Sequence, residues 1–515
     1  MNGTTGGNRG PRRAAALAVA AAVAVLTTAC GVVHVHFGSS ASSASTASAT
    51  YRAELAYAQC MRAHGLPGFP DPNTSGGPNE HVNVNPNSPA ARANDACKHL
   101  LAGGSTGTAA TATPSPPGAV PADCLASRPR CYTPRQLRAA YGIQPLLDRG
   151  ITGRGQTVVL PEFPPSTAGS PLAVTDIRQD LARFDALFGL PAARLQVVNT
   201  LAHAASPWLA SPEEVGDTEI VHALAPGAAI REVLIPSPYT ASLGRVSAAV
   251  VAALRLGLAQ GGVISLSAGT GEQRFTPAEV AQVNAVLQAA QRDRVTVVVS
   301  TGDSGAATTS YPPGTGSAAV KGVDLPASAP LTLAVGGTSL RASRTTGAYI
   351  GETAWNTPPS AGGPAAGGGG FSRLFPRPAY QDGIVGIGAT RGVPDVAADA
   401  DHRPGMAIAF SGGKDYILGG GGVSVAAPLW AAVIALADQY AGHHLGFVNH
   451  ALYRIGRSAY YHQAFHDVTM GANTVTFPTQ TITGYHAAPG WDPVTGWGSP
   501  NALVLVPLLA RYVSP

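Results

Sequence analysis

One serine stands where a glycine-rich turn meets a long apolar stretch, in the sequence GGVSVAAP at positions 421–428. If the apolar stretch is a helix, Ser424 lies at its N-terminus, where the hydroxyl is exposed and the helix dipole favours a developing negative charge. Ser424 is therefore a candidate nucleophile. The structural alternative is a serine that only caps the helix, and an isolated serine would favour that alternative.

A second block, SPEEVGDTE at positions 211–219, holds several carboxyl groups. Ser211 and Glu214, with a proline between them, form a pattern that starts a helix, which gives Glu214 a structural role. Glu213 and Asp217 are then four residues apart on one helical face. Two like charges at this spacing either face water or share a proton at a site, and the spacing alone leaves both interpretations open.

A third block follows the apolar run 295–299 and has the sequence STGDSG at positions 300–305. It places Asp303 between glycines at the C-terminal end of a predicted strand. In a parallel sheet this is the edge where functional side chains collect, so Asp303 is a candidate site residue. A turn built from Asp and Gly is the structural alternative.

A fourth block lies near the C-terminus and is rich in oxygen ligands. Asp467 is followed by Val468, and the sequence APGWDP at positions 488–493 adds Asp492 with several backbone carbonyls. Carboxylate and carbonyl oxygens are the ligands that a hard cation such as calcium prefers. Two ordinary turns would give the same pattern.

The elements that must position these groups alternate between apolar runs and helical stretches. Strands are predicted at 157–160, 230–235, 263–266, 295–300 and 331–335, and helices at 241–260, 277–292 and 425–440. This alternation predicts an α/β fold with a parallel sheet covered by helices on both faces. The candidate residues then gather at the carboxyl ends of the strands.

Composition excludes some classes of protein. The chain has 515 residues, 45% of them hydrophobic and 12% charged, so it is neither disordered by composition nor too short for a sizeable core. The formal net charge is +4 and no dense Lys/Arg block is present. This pattern argues against a nucleic-acid partner.

The N-terminus predicts export. Arg9, Arg12 and Arg13 precede the apolar run 14–26, which ends in TTAC at positions 27–30. Three interpretations stay open: a signal cleaved with lipid attached to Cys30, a signal cleaved without lipid, and a short membrane anchor. We expect an extracellular or cell-surface protein, tethered to the membrane if Cys30 is lipidated. No second apolar run is expected to be long enough for a membrane helix.

We predict five segments along the chain. They are a signal at 1–30, a Ser/Ala-rich linker at 31–50, a small helical module with cysteines at 51–101, a Gly/Thr/Pro linker at 102–123 and a large domain at 124–515. Four cysteines remain beyond Cys30 and allow three pairings. We favour Cys60 with Cys97 and Cys124 with Cys131, because each pair lies within one segment between linkers.

Taken together and in this order, the four blocks resemble the sedolisin family of serine-carboxyl peptidases, also called the kumamolisin-like or tripeptidyl-peptidase group. The resemblance covers roughly Cys124 to the C-terminus. Further blocks that carry it are YTP at 132–134, APGA at 225–228, SLSAG at 265–269, VGGT at 335–338, GGFS at 369–372, PAYQ at 378–381, VPDV at 393–396 and GWDP at 490–493. Each block is weak alone, but so many in one order are specific.

The resemblance implies a subtilisin-like fold and an acid-acting peptidase. Ser424 would attack the scissile carbonyl, Glu213 would take its proton, Asp217 would support Glu213, and Asp303 would stand in the oxyanion hole. A carboxylate base remains competent in acid, where a histidine base is protonated and idle. Asp303 can donate a hydrogen bond only when it is protonated, which again requires acid or a raised pKa.

The resemblance also implies one structural calcium ion and a peptide or protein substrate. The ion would be held by the side chains of Asp467 and Asp492 and by the carbonyls of Val468, Ala488 and Gly490. We expect a monomer. Cleavage within proteins and removal of N-terminal tripeptides both remain open, because loops around the cleft decide between them.

Three departures from the family pattern are visible. Val423 replaces the usual threonine before the nucleophile, Ala268 replaces an aromatic residue, and no segment resembling the family's prosegment precedes Cys124. Two rival hypotheses stay open. One is a histidine-based subtilisin-type hydrolase with His203 or His222 as the base. The other is a catalytically inert, calcium-stabilised binding lipoprotein on the same fold.

Overall fold

The computed structural model describes residues 59–64, 96–97, 131–163, 175–200, 207–235, 246–308, 319–360, 363–410 and 416–513. The chain divides into two units, one within Gly31–Ser115 and one within Pro116–Pro515. The predicted signal with Cys30 and both predicted linkers lie outside the described residues. The five predicted segments therefore stay a prediction.

The small unit contains one disulfide. Residues 59–63 are helical, and Cys60 is bonded to Cys97, which confirms the favoured pairing. His64 Nδ1 lies 3.6 Å from Cys60 Sγ and 3.8 Å from Cys97 Sγ. These three side chains have the types of a metal site, but the disulfide removes both thiolates that a metal would need. Cys131 in the large unit is also disulfide-bonded, whereas Cys124 lies outside the described residues.

The strands of the large unit are mostly short. In chain order they are β1 Cys131–Tyr132, β2 Thr157–Glu162, β3 Thr175–Asp176, β4 Arg194–Asn199, β5 Leu209–Ala210, β6 Ala229–Leu234, β7 Val263–Leu266, β8 Thr270–Gly271, β9 Val297–Ser300, β10 Asp324–Leu325, β11 Leu333–Ala342, β12 Tyr349–Ala354, β13 Asn356–Ser360, β14 Gly363–Ala366, β15 Gly370–Pro376, β16 Thr390–Val393, β17 Val396–Asp399, β18 Gly405–Phe410, β19 Tyr416–Gly420, β20 Phe465–His466, β21 Val475–Phe477, β22 Gln480–Ile482 and β23 Ser499–Pro500.

The helices lie between these strands. They are α1 Pro134–Ala140, α2 Gln144–Leu147, α3 Ile177–Phe188, α4 Pro212–Leu224, α5 Val246–Leu258, α6 Pro277–Arg292, α7 Val423–Ala441, α8 Asn449–Gly456, α9 Tyr461–Ala464 and α10 Ala502–Tyr512. Two short 3₁₀ helices cover Glu272–Arg274 and Ala379–Gln381.

The main sheet has the strand order β12-β11-β9-β7-β2-β6-β4, and β17 pairs with β11 beside this path. Its pairs are parallel except for β11 with β12. β11 is long because its first residues pair with β9, its middle pairs with β17 and its end pairs with β12. The predicted parallel sheet is confirmed.

Both faces of the sheet are covered, as predicted. Successive residues of a strand point to opposite faces, so Val158 and Leu160 of β2 join one core and Val159 joins another. The first core is completed by α4, α7 and α10. The second core is completed by α5 and α6.

The helix α7 corrects one expectation from the sequence. Its 19 residues are long and apolar enough to cross a membrane, although no such second run was expected. The fold buries 83% of its most apolar window, and all residues from Leu429 to Ala437 are fully buried. In this structure α7 is therefore the central core helix of the large unit.

Candidate active site

The candidate residues converge on one edge of the main sheet. β2, β7 and β9 run parallel, so their carboxyl ends lie side by side. The N-termini of α4 and α7, whose first turns carry the acidic pair and the serine, come to the same edge. This arrangement explains how blocks far apart in the sequence meet.

Ser424 is the second residue of α7. The residue that caps the helix is Gly422, whose φ of 92° is a conformation that favours glycine. A Cβ on Gly422 would lie 2.9 Å from Asp303 Oδ2, so glycine is also required for space. The interpretation of Ser424 as a simple cap is therefore wrong. Its hydroxyl, on a partly buried side chain, lies close enough to the carboxyl group of Glu213 to lower the pKa of that group.

The acidic pair lies in the first turns of α4. Glu214 accepts hydrogen bonds from the backbone N–H of Ser211, at 2.8 Å, and from its hydroxyl, which confirms the predicted helix start. The cap fixes the register of the helix, so that Glu213 points to Ser424 and Asp217 lies one turn further on. Asp217 is only 1% exposed, which excludes a solvated face for this residue.

Asp217 has two polar neighbours, Ser267 and Glu162, to which the sequence analysis assigned no role in the site. Ser267 Oγ, just beyond β7, lies 2.8 Å from Asp217 Oδ2 and donates to it. Glu162, the last residue of β2, is buried and its carboxyl group contacts that of Asp217. Asp217 Oδ1 and Glu162 Oε1 have no hydrogen-bond partner among the described residues, and two buried carboxyl groups this close favour a proton on one of them.

The carboxyl groups of this cluster raise one another's pKa values. Burial raises the pKa of Asp217 well above its usual value, and the charge of Glu213 adds to this effect. Burial, followed by the charge of Asp217, does the same for Glu162. Desolvation by surrounding protein atoms raises the pKa of Glu213 to about 7, with smaller contributions from Asp303 and Glu214, against the lowering effect of the Ser424 hydroxyl.

Asp303 follows β9 and faces the first turn of α7. Its Oδ1 accepts a 2.8 Å hydrogen bond from the backbone N–H of Val423, the residue before the serine. Desolvation raises the pKa of Asp303, while this N–H and the charge of His402 lower it. Both Asp303 and Glu213 are exposed residues. Water therefore offsets part of their desolvation, and the upward direction of each pKa is what matters for the chemistry.

The predicted calcium ligands lie in two loops that contact each other. Asp467 accepts the backbone N–H of Gly490, with distances of 3.3 and 3.2 Å to its two oxygens. The buried Asp492 accepts a hydrogen bond from the N–H of Ala488 at 3.2 Å. The carbonyl of Val468 accepts one at 3.4 Å from the hydroxyl of Thr495, which lies in the same loop as Asp492.

The chemistry of this donor set fits a divalent cation. The negative charges of Asp467 and Asp492 both raise the pKa of the Tyr461 hydroxyl, so the two carboxyl groups lie near each other. Within the described residues, neither of them forms a salt bridge with a basic side chain. Two neighbouring carboxylates without a cationic partner, next to backbone carbonyls, are the oxygen set that calcium prefers.

Comparison with known proteins agrees with this geometry. Kumamolisin from Bacillus sp. (strain MN-32) is 33% identical over 397 residues, which cover 75% of this chain and 65% of that protein. The solved structure of Pseudomonas sedolisin, a serine-carboxyl proteinase in complex with pseudo-iodotyrostatin, superposes with a TM-score of 0.60 at 25% identity, over 74% of this chain and 98% of that one. The resemblance of the chain to the sedolisin family is confirmed.

Other members of the sedolisin family match over shorter stretches. Human tripeptidyl-peptidase 1 is 29% identical over 272 residues, which cover 48% of this chain and 43% of that protein. This chain thus spans less than two thirds of the length of these curated relatives. A scan of protein-family models gives no match.

Two departures from the sedolisin pattern have structural explanations. Val423 packs against Trp355 and Ala400, so its methyl groups lie in an apolar pocket, and its contact with Asp303 uses the backbone N–H that any residue supplies. Ala268 packs beside the core formed by α5 and α6.

The histidine-based rival has little support from the geometry. His222 is fully buried in α4, with Nε2 2.8 Å from Asp185 Oδ1 of α3 and 2.9 Å from the carbonyl of Pro191. It is therefore committed to the contact between α3 and α4. His203 lies outside the described residues.

Proposed function

We propose that this protein is an acid-acting serine-carboxyl peptidase in which Ser424 is the nucleophile and Glu213 is the general base. The observation that carries the proposal is the proximity of the Ser424 hydroxyl to the Glu213 carboxyl group, whose ionised form the hydroxyl favours. In the attack, Ser424 Oγ bonds to the scissile carbonyl carbon while its proton passes to Glu213. Glu213 then returns the proton to the departing amine, and water reverses the sequence on the acyl-enzyme.

The carboxyl cluster is suited to hold one proton while it accepts another. When acids interact strongly, they lose their protons in separate steps that belong to the cluster as a whole. A proton on Asp217 or Glu162 removes one negative charge beside Glu213, and this favours the ionised form of Glu213 that accepts the proton of Ser424. The raised pKa values of these acids keep that shared proton in place well above the usual range of a carboxyl group.

Asp303 supplies the stabilisation of the oxyanion in this proposal. Its carboxyl group lies beside the turn that carries Ser424, and it must be protonated to donate to a developing negative charge. The upward shift of its pKa favours the protonated form. Loss of this proton at higher pH ends the reaction, so the mechanism is confined to acid.

We also propose that Asp467, Asp492 and the carbonyls of Val468, Ala488 and Gly490 hold one calcium ion. When bound, the ion would supply charge neutralisation and tie the two C-terminal loops together. The N-terminal sequence supports an exported protein, extracellular or at the cell surface, with a membrane tether if Cys30 carries lipid.

The test is peptide hydrolysis by residues 31–515 from pH 2 to 8 with calcium present. We expect cleavage in acid only, with kcat reduced by at least about a thousandfold in Ser424→Ala and in Glu213→Gln. Asp382→Asn, which removes an exposed carboxylate paired with Arg377, is the matched control and should retain full activity. Substrates with free and blocked N-termini would separate tripeptide removal from internal cleavage.

A folded protein that cleaves nothing at any pH would overturn the peptidase proposal and favour the inert binding lipoprotein. Activity that survives in Glu213→Gln but peaks near neutral pH would instead favour a different base.

A further inference from the structure

His402 lies beside the nucleophile turn, in the segment 401–404 between β17 and β18. A Cβ on Gly421 would lie only 2.1 Å from His402 Nδ1, so the imidazole ring packs directly on this glycine. Its orientation is supported by Trp355, which meets it edge to face at 5.9 Å between ring centroids. His402 is exposed, so water and solutes reach the ring.

The next glycine of the same turn contacts Asp303. A Cβ on Gly422 would lie 2.9 Å from Asp303 Oδ2 and 3.5 Å from its Oδ1. An imidazole and a carboxyl group thus pack on two consecutive glycines, directly before Val423 and Ser424. The absence of side chains on both glycines brings the two titratable groups close together.

Other charged groups surround this pair. Glu213 faces Asp303 across the serine and repels its charge. Asp401 accepts from the Ser339 hydroxyl at 2.6 Å and from the backbone N–H of Arg403 at 3.0 Å, so its oxygens are directed to those donors. Arg403 is exposed. Among the described residues, the histidine whose positive charge would lower the pKa of Asp303 is His402.

We propose that His402 is a positioning residue that sets the upper pH limit of the reaction by favouring the ionised form of Asp303. This inference rests on the proposed function of Asp303 as an oxyanion donor. Imidazole is cationic in acid, and a cation near a carboxyl group stabilises the carboxylate. Asp303 therefore loses its proton, and with it the ability to donate, at a lower pH than it would without His402.

Neutral and cationic substitutions at position 402 separate charge from shape. His402→Asn removes the positive charge of the imidazole. The pH at which kcat/KM falls on the alkaline side should then rise by about half a unit, the size of effect that one nearby charge has at a protein surface. In His402→Arg the charge is permanent, and the alkaline limit should not rise. Salt at 1 M should shrink the difference between the two variants.

The matched control removes a histidine that lies at the opposite end of α7 from the nucleophile. His443 follows the C-terminus of α7, about 27 Å from Ser424 by the rise of the helix, so His443→Asn should leave the pH profile unchanged. A purely structural role of His402 would lower kcat/KM at every pH without moving the alkaline limit, and this result would overturn the inference.

A second measurement does not depend on activity. Carboxyl carbon NMR of Asp303, assigned with Asp303→Asn, should show its titration moving upward in His402→Asn and not in His443→Asn. An unmoved titration would overturn the inference even in an active enzyme. Absence of cleavage by the natural chain would overturn the proposed function, and the Asp303 titration would then still decide whether His402 acts on it.

Discussion

Ser267 links the acidic pair to the backbone of the nucleophile. Its hydroxyl oxygen lies 2.8 Å from Asp217 Oδ2 and 3.2 Å from the carbonyl oxygen of Ser424. The helix cannot supply its usual donor to that carbonyl, because the residue four positions on is Pro428, which has no N–H. Ser267 thus stands where it can hold both Asp217 and the first turn of α7.

We expect Ser267→Ala to reduce kcat/KM roughly ten- to hundredfold, because Asp217 loses a donor and its pKa rises further. Ser265→Ala is the matched control, since Ser265 is buried in β7 two residues before Ser267 and its hydroxyl has no hydrogen-bond partner among the described residues. Peptide hydrolysis across pH 2 to 8 would measure both variants. Equal activity in the two would contradict a role for Ser267 in the site.

At the scale of elements, the C-terminal loops are held by few strand contacts. β20 pairs with β23 over two residues only, and Asp467 and Asp492 lie in the loops between these strands. Short pairings stabilise little by themselves. A cation that joins both loops would therefore contribute much of their stability.

We expect calcium to raise the melting temperature of the protein, because a ligand that binds only the folded state stabilises it by about 2.7 kcal/mol at one hundred times its Kd. Magnesium should have a smaller effect, and Asp467→Asn should remove most of the response to calcium. Differential scanning calorimetry with calcium or a chelator would measure this. The Asp382→Asn variant should respond as the natural chain does, and a melting temperature insensitive to chelation would contradict the proposed site.

Sequence patterns located the central elements well but not every contact between them. β7 and α6 have the predicted bounds, because an apolar run between turn residues and a capped helix are strong local signals. β11 was predicted to end at residue 335, yet it continues to Ala342, because pairing with three strands overrides the turn signal of Gly336 and Gly337. Tertiary pairing of this kind has no local signature.

The same limit applies to the site. Ser424, Glu213, Asp217 and Asp303 could be predicted because each lies in a recognisable motif. Glu162 could not, because its role depends on β2 lying next to β7 in the sheet. The only local signal was an acid that closes an apolar strand.

At the scale of the whole molecule, the described residues include many buried carboxyl groups that form no salt bridge. Burial raises the pKa values of six of them well above or clearly above the usual range: Glu162, Asp217, Glu219, Glu232, Glu352 and Asp399. A group whose pKa is raised by folding stabilises the native state below its unfolded pKa, and this contribution is lost as the pH rises through the folded pKa. His450 and His466, whose pKa values are lowered by burial, act in the opposite direction.

We therefore expect the protein to be more stable in acid than at neutral pH, with a melting temperature at least about 5 °C higher at pH 5 than at pH 8. Thermal unfolding across this range measures the effect. Glu219→Gln should reduce the pH dependence, since Glu219 is fully buried away from the active site and accepts only the N–H of Ala409 at 2.8 Å. A melting temperature that rises towards pH 8 would contradict the prediction.

The burial of α7 has a further consequence for how the protein is inactivated. Backbone amides in the most buried helix of a domain exchange with solvent only when the whole domain opens. Ser424 and Glu213 are each the second residue of a buried helix, whereas Asp303 lies in the loop that follows β9. Local opening of that loop can disturb Asp303 reversibly, but displacement of the nucleophile and its base requires the buried helices that carry them to open. The half-life of the protein at high temperature is then governed by its unfolding rate rather than by damage confined to the active site.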